Sequence, residues 1–381
     1  MARSFTSVGV SGASDKPFAE RFDRSVLNNL VDELWLVKSQ KNEKVPLRLI
    51  MNAPRLVMAW RAWNEFIDDG LLGVWAKQLL RKDALFVLNA RLASVLLDMA
   101  KVINSAVLTQ GADSLVPSRV VQAEDRENMF RLLDTMVEVV FVNRQQTSFV
   151  YVSAATEALG RYNNLLYPPK NILDTWLTAI HDWIRFDGLL RSLSPVLTDS
   201  HDTNRIGLTS VSGFANGLRQ LEYEPSKDQL QLLARVSHRL LGEIMGTKFA
   251  KARFFVDYAR AWQQWQMDPE LLCQGWWAKW YEAYGEYLRQ RPSQINRMHG
   301  LQLANLIVAG LVMAKHFGRI VELKMVSSVV ESTIMQIIES KLLDRVKAII
   351  ILKHVEDLYR IEKTVFTERM LNILDDYCKK V

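Results

Sequence analysis

From Phe22 onward, apolar residues recur at three- and four-residue spacing along almost the whole chain. Leu27, Leu30, Val31 and Leu34 show the pattern, as does Phe130–Val140 (FRLLDTMVEVV). This is the period of an amphipathic helix, whose apolar side chains return to one face every 3.6 residues. Alternation of period two is confined to short pieces such as Ser148–Val152, which are not read as strands. Prolines punctuate the helical pattern at positions 46, 54, 117, 168, 169, 195, 225, 269 and 292. Loops are expected over Thr109–Glu124, Leu193–Asn204 and Gln290–Asn296. Beyond Pro292 there is no proline, and residues 302–381 read as three or four long helices ending in LNILDDYCKKV.

The pattern repeats. Residues 59–77 read AWRAWNEFIDDGLLGVWAK and residues 261–279 read AWQQWQMDPELLCQGWWAK. Each carries Ala-Trp-x-x-Trp, an acidic turn, Leu-Leu and then Trp-Ala-Lys, with only the Leu-Leu displaced. Residues 154–176, 214–234 and 304–317 keep the outline with different residues. The shared grammar is a helix with small residues, a short turn with Pro or Asp, and a second helix. Around residue 268 the signals are specific: Asp268 is a good N-cap, Pro269 suits the first helical position, and Glu270 complements the helix dipole. Recurrence of this kind is the signature of repeat architectures. The expected fold is all-α: an irregular, right-handed α-solenoid of helix-hairpin repeats, continuous over 22–381. Residues 302–381 would form a long-helix C-terminal cap, and residues 1–21 a flexible leader.

Composition agrees. Of 381 residues 49% are apolar, and Gly and Pro number only 17 and 10, which favours helices over a turn-rich sheet protein. Two cysteines, Cys273 and Cys378, build neither a disulfide framework nor a zinc pattern, and indicate a reducing compartment. The longest apolar run, Leu303–Ala314, is too short to span a bilayer and reads as a buried helix, so no membrane span is expected. The N-terminal stretch MARSFTSVGVSGASD has Arg3, several hydroxyls and no acid before Asp15. It fits a mitochondrial transit-peptide remnant and a plain polar leader equally well.

The stretch FANGLRQLEYEPSKDQLQLLARVSHRL, followed by FVDYARAWQQWQMDPELLCQGWWAKWYEAY, resembles the organellar octotricopeptide and heptatricopeptide repeat proteins, which include the FAST-kinase-like group. The resemblance covers about residues 150–320. In that family an alanine-bearing first helix ends in a short turn, often with proline, before a second helix. The period here is longer and less regular, and no RAP-type C-terminal domain follows. The resemblance implies an organellar, mitochondrial RNA-binding factor in RNA processing, editing or translation, working within a larger ribonucleoprotein complex.

No catalytic signature occurs: there is no P-loop, H-E-x-x-H, C-x-x-C, G-x-S-x-G or G-x-G-x-x-G. Among six histidines, His354 has a carboxylate at i+3 (Asp357), but a single pair is a poor metal signal. No enzyme activity, metal or cofactor is expected. The formal charge is +6, and its clustering matters more than its size. No acid lies between Glu286 and Glu322, a window holding Arg289, Arg291 and Arg297; a second run holds Lys248, Lys251 and Arg253, with Arg235 nearby. In a repeat array such runs could merge into one stripe that holds the phosphates of single-stranded RNA. The alternative is that each run is a separate solvated face. The tryptophans divide similarly. Exposed indoles could stack on bases, but Trp262/Trp265 and Trp276/Trp280 share helix faces and recur in the repeat, which favours packing. Trp277 points off the Trp276–Trp280 face and is the candidate stacking residue. The competing function is a protein–protein scaffold of the HEAT/armadillo kind with no RNA contact.

Overall fold

A computed structural model of the chain describes residues 77–88, 91–109, 123–142, 148–198, 206–244, 252–290, 295 and 297–380. Among these residues there are fourteen α-helices and no strand. They divide into two compact units between Leu133 and Asp134. The expected start of the repeat array at residue 22, and the repeat copy at 59–76, lie outside the described residues.

The first unit holds Lys82–Leu88 (α1), Leu92–Thr109 (α2) and the greater part of Ala123–Val137 (α3). Its buried side chains include Leu88, Leu92, Leu96, Met99, Leu132 and Leu133.

The second unit begins at the end of α3, which widens into a π-helical turn over Glu138–Val142. Then come Phe149–Leu166 (α4), Lys170–Arg185 (α5), Gly188–Leu197 (α6), Leu208–Gln220 (α7), Lys227–Ile244 (α8) and Ala252–Gln264 (α9). A 3₁₀ turn over Pro269–Leu271 leads to Trp276–Arg289 (α10), followed by Arg297–Phe317 (α11), Ile320–Glu339 (α12), Arg345–Ile361 (α13) and Glu368–Lys380 (α14).

The packing alternates. Helices α4, α7, α9, α11 and α13 pack each on the next, and so do α6, α8, α10, α12 and α14. The chain therefore steps between two rows, one hairpin at a time, with α5 and α6 together completing the first hairpin. The first helices starting at Leu208, Ala252, Arg297 and Arg345 are 44, 45 and 48 residues apart. Residues 302–381, expected to cap the array, continue the same alternation.

The first-row helices all end at one edge. Asn163 in the last turn of α4 donates to the Gln220 carbonyl at 3.0 Å, and Gln264 at the end of α9 donates to the Arg219 carbonyl at 3.1 Å. Beyond them, Lys315 near the end of α11 reaches Asp357 near the end of α13. Four of these helices close on a left-handed residue: Tyr167, Glu222, Gln266 and Gly318, at φ 48°, 56°, 50° and 68°. Only Gly318 adopts that conformation without steric cost. Links across the hairpins recur at a separation of 42 residues: Trp176 Nε1 to Asp134, Arg239 to the Leu197 carbonyl, and Trp265 Nε1 to the Tyr223 carbonyl.

Close approach of α4 and α7 depends on small residues. A Cβ on Gly217 would lie 2.4 Å from the Thr156 carbonyl carbon and oxygen, so the position admits no side chain. Further along, the core is aromatic. Tyr258, Trp262, Trp276, Trp280, Tyr281 and Tyr284 are all buried, with Trp280 and Tyr284 stacked at 5.2 Å. Their polar atoms are in part satisfied, Trp276 Nε1 by Ser237 Oγ at 2.9 Å and Tyr281 Oη by the Gly310 carbonyl at 2.8 Å.

Several local expectations change. Ser148–Val152, not read as a strand, opens α4, while other details differ from the sequence reading. The loop expected from Leu193 begins only after Leu197: the helix continues through Pro195 in its last turn, forgoing only the one backbone bond that the missing N–H would have made. Asp268 does cap a turn, accepting from Glu270 N at 3.0 Å, but the turn is 3₁₀ and α10 starts only at Trp276. Glu270 supplies the second cap: its carboxylate accepts from Gly275 N at 2.6 Å and Trp277 N at 3.1 Å.

One helix among the described residues, α11 over Gly300–Phe317, is long and apolar enough to cross a membrane by length and composition. It packs on α9, α12 and α13, and Leu306, Ile307, Leu311 and Ala314 are fully buried there.

Candidate functional site

The residues proposed from the sequence do not form one group. Arg235 is exposed in the middle of α8. Nine residues separate it from the end of that helix, about 13 Å at the helical rise. Arg253 and Arg297 occupy the first turns of α9 and α11, and Arg289 the last turn of α10. Because the first-row helices all end at the turn edge, their starts share the opposite edge, where α10 also finishes. The structure thus gathers Arg253, Arg289 and Arg297 by helix position and leaves Arg235 apart. Arg289 is ion-paired with Glu286 at 3.1 Å, so its charge is partly answered. Lys248, Lys251 and Arg291 lie outside the described residues.

Trp277 is no stacking platform. It is fully buried, its ring lies 5.2 Å from Phe317, and its indole N–H donates to Asp268 Oδ1 at 2.8 Å. The side chain points into the joint between α10 and α11, a direction that helical spacing within α10 alone does not reveal. Of the five tryptophans between 261 and 280, only Trp265 retains exposure. Likewise the His354–Asp357 pair is occupied by Lys315, whose ammonium bonds the Asp357 carboxylate. Burial and the Lys315 cation together hold the His354 imidazole below its ordinary value.

Sequence spacing missed a second basic group, because its members come from three helices. Arg161 on α4, Arg219 on α7 and Arg260 on α9 stand near the turn edge of the first row. Arg161 bonds the buried Glu157 at 3.0 Å. Arg219 reaches Asn216 Oδ1 through Nε and Nη2, at 3.1 and 2.9 Å. Asp257 lies within Coulomb range of both Arg161 and Arg219. Burial pulls the Arg219 guanidinium below the usual arginine range, and the neighbouring Arg260 cation adds to the effect while Asp257 opposes it. Arg260, which is exposed, thus lies in Coulomb range of Arg219, with Asp257 offsetting part of the repulsion. A guanidinium keeps its proton in such a setting, so a further anion would be attracted.

One turn along α9 from Arg260, the helix end borders a groove of about 550 Å³ between two hairpin turns. Tyr223, Pro225, Leu230, Trp265 and Met267 form its apolar lining, with Gln264 and Gln266 beside them and Glu222, Glu224 and Lys227 exposed at the rim. Trp265 is fixed by its N–H to the Tyr223 carbonyl at 3.3 Å and by an edge-on contact with Trp262 at 5.6 Å. On its other side Tyr223 meets His181 at 3.4 Å. The α7–α8 and α9–α10 turns thus each offer one ring to this groove.

No protein-family model, no curated protein and no solved structure matches this chain.

Proposed function

We propose that the chain is a non-enzymatic α-solenoid of helix hairpins that binds single-stranded RNA as part of a larger assembly. The two-row alternation supports the solenoid, since each hairpin packs chiefly on the hairpins beside it. The observation that carries RNA binding is the set of cations that three first-row helices bring toward one edge, Arg161 on α4, Arg219 on α7 and the exposed Arg260 on α9, with Arg260 in Coulomb range of Arg219. Guanidinium pairs hold phosphate oxygens through directed N–H bonds, and binding releases counterions. The mitochondrial setting and a role in RNA processing, editing or translation rest on the resemblance to organellar repeat proteins. The test is fluorescence anisotropy with labelled single-stranded RNA across a salt series. Affinity should fall steeply with salt, and Arg219→Glu with Arg260→Glu should lower it about tenfold or more and reduce the salt slope by about one per contact. Absence of binding at low salt overturns the reading.

A second reading has its own support. Repeats of 44 to 48 residues match the length of HEAT and armadillo units, which serve as protein scaffolds. On that reading partner proteins co-purify after nuclease treatment and the two charge reversals leave RNA retention at background.

A further inference from the structure

We propose that the groove between the hairpin turns of α7–α8 and α9–α10 is a single-nucleotide subsite, in which Trp265 stacks on a base while Arg219 and Arg260 hold its phosphate, and that Glu222 and Glu224 favour bases carrying an exocyclic amino group. The inference rests on the RNA-binding reading and adds where a base sits and which bases are preferred.

Placement of the parts carries it. Arg260 and Gln264 are one turn apart on the same face of α9, and Gln264 lines the groove. Gln264 also donates to the Arg219 carbonyl, and Trp265 follows Arg260 by five residues, a rise of about 7.5 Å, the scale of one nucleotide. Trp265 is held in place rather than free to swing, because its N–H bonds the Tyr223 carbonyl and its edge abuts Trp262. A ring fixed in this way loses little freedom when a base lies on it. Tyr223, Pro225, Leu230 and Met267 supply the rest of the apolar lining.

The carboxylates narrow the choice of occupant. Ionised carboxylates accept hydrogen bonds and donate none. Cytosine, adenine and guanine each present an amino donor, whereas the exocyclic groups of uracil are carbonyls that two rim carboxylates would repel. Charge also orders the site: the cations of α7 and α9 match phosphate, and at the turn side Glu222 and Glu224 outnumber Lys227 and match the amino edge. A lysine- or arginine-rich peptide is the competing occupant, drawn by Glu222 and Glu224 but opposed by Arg219 and Arg260.

The experiment measures binding of labelled oligocytidine, oligouridine and an abasic ribose-phosphate oligomer to the full chain and its variants at fixed low salt. Oligocytidine should bind about tenfold tighter than oligouridine. Trp265→Leu should lower affinity for both base-bearing oligomers and leave the abasic one unchanged. Trp265→Phe keeps a ring and should retain most of the affinity, which separates loss of stacking from loss of fold. Glu222→Gln with Glu224→Gln should erase the preference for cytosine without weakening oligouridine. If all oligomers bind but base preference ignores these variants, the subsite is overturned while RNA binding stands. If no oligomer binds, the abasic one included, the RNA-binding reading itself fails. Binding of an oligolysine peptide that depends on Glu222 and Glu224, with no RNA binding, assigns the groove to a basic peptide and also overturns the proposal.

Discussion

Trp277 and Arg319 share one carboxylate. The indole N–H takes one oxygen of Asp268 at 2.8 Å and the Arg319 guanidinium takes the other, so Asp268 ties the turn after α9 to α10 and to the start of α12. All three groups are partly or wholly buried. Asp268→Ala should therefore cost about 1–3 kcal/mol, because three donors, the Glu270 N–H included, lose this partner where water replaces it poorly. Trp277→Phe should cost less than Trp277→Ala, which opens a cavity worth about 3–5 kcal/mol. Chemical denaturation reads these differences, and the ordering Phe before Ala is the point at risk.

Gly217 marks the tightest approach of two helices. With Thr156 backbone 2.4 Å from where a Cβ would stand, Gly217→Ala should force α4 and α7 apart and destabilise by about 1–3 kcal/mol or more. Gly207, where nothing lies within 4 Å, is the matched control and should tolerate alanine with little change in melting temperature.

Lys341 closes α12 at φ 54°, with its N–H on the Ile338 carbonyl and the next N–H on Ile337. A β-carbon is strained there, so Lys341→Gly should stabilise the chain by a few tenths to about 1 kcal/mol despite glycine's looser unfolded state. A drop in melting temperature would contradict this account of the turn.

Two histidines make stability fall on acidification. His238 is held below its ordinary value first by burial, then by the Lys279 cation, with Glu270 opposing. His354 is lowered by burial, by Lys315 and by Lys353, against Asp357. The unfolded chain then binds more protons than the folded one as pH drops below the ordinary histidine value near 6.5. Stability should decline from about that pH toward the lower folded values. The double change His238→Gln and His354→Gln should flatten melting temperature across that window.

Charge reversal of Lys248, Lys251 and Arg253 tests the cations read from the sequence, of which Arg253, in the first turn of α9, lies at the edge opposite Arg219 and Arg260. Arg253 lies eleven residues from Gln264 on α9, about 17 Å at the helical rise. Oligonucleotides of about four nucleotides should bind the triple variant as well as the unaltered chain, and those of about sixteen should bind it more weakly. Equal losses at both lengths would place the short oligomer at the wrong edge.

The helices themselves were legible in the sequence because burial imposes the 3.6-residue period, and Phe130–Val140 and 302–381 obey it plainly. Asp268 and Pro269 also announced a turn correctly. What spacing within one helix cannot reveal is where neighbouring helices stand. Trp277 is buried by Phe317 from α11, and Arg161, Arg219 and Arg260 meet across three helices far apart in the chain. Left-handed closures at Tyr167, Glu222 and Gln266 were equally silent, since those residue types carry no preference for that conformation. Trp265 was counted with its packed neighbours because it shares a face with Trp262. It differs in sitting one residue past the helix end, where the face runs out.

The links at 42-residue separation have a mechanical consequence. Asp134 with Trp176, Leu197 with Arg239, Tyr223 with Trp265 and Lys315 with Asp357 each fasten one hairpin to its neighbour and to nothing further off. A chain pulled from its C-terminal end would surrender α13 and α14 first, then α11 and α12, each release exposing the next clasp. Amide exchange should follow the same order, as a front of opening that travels inward from α14 while the aromatic joint around Trp276 still holds.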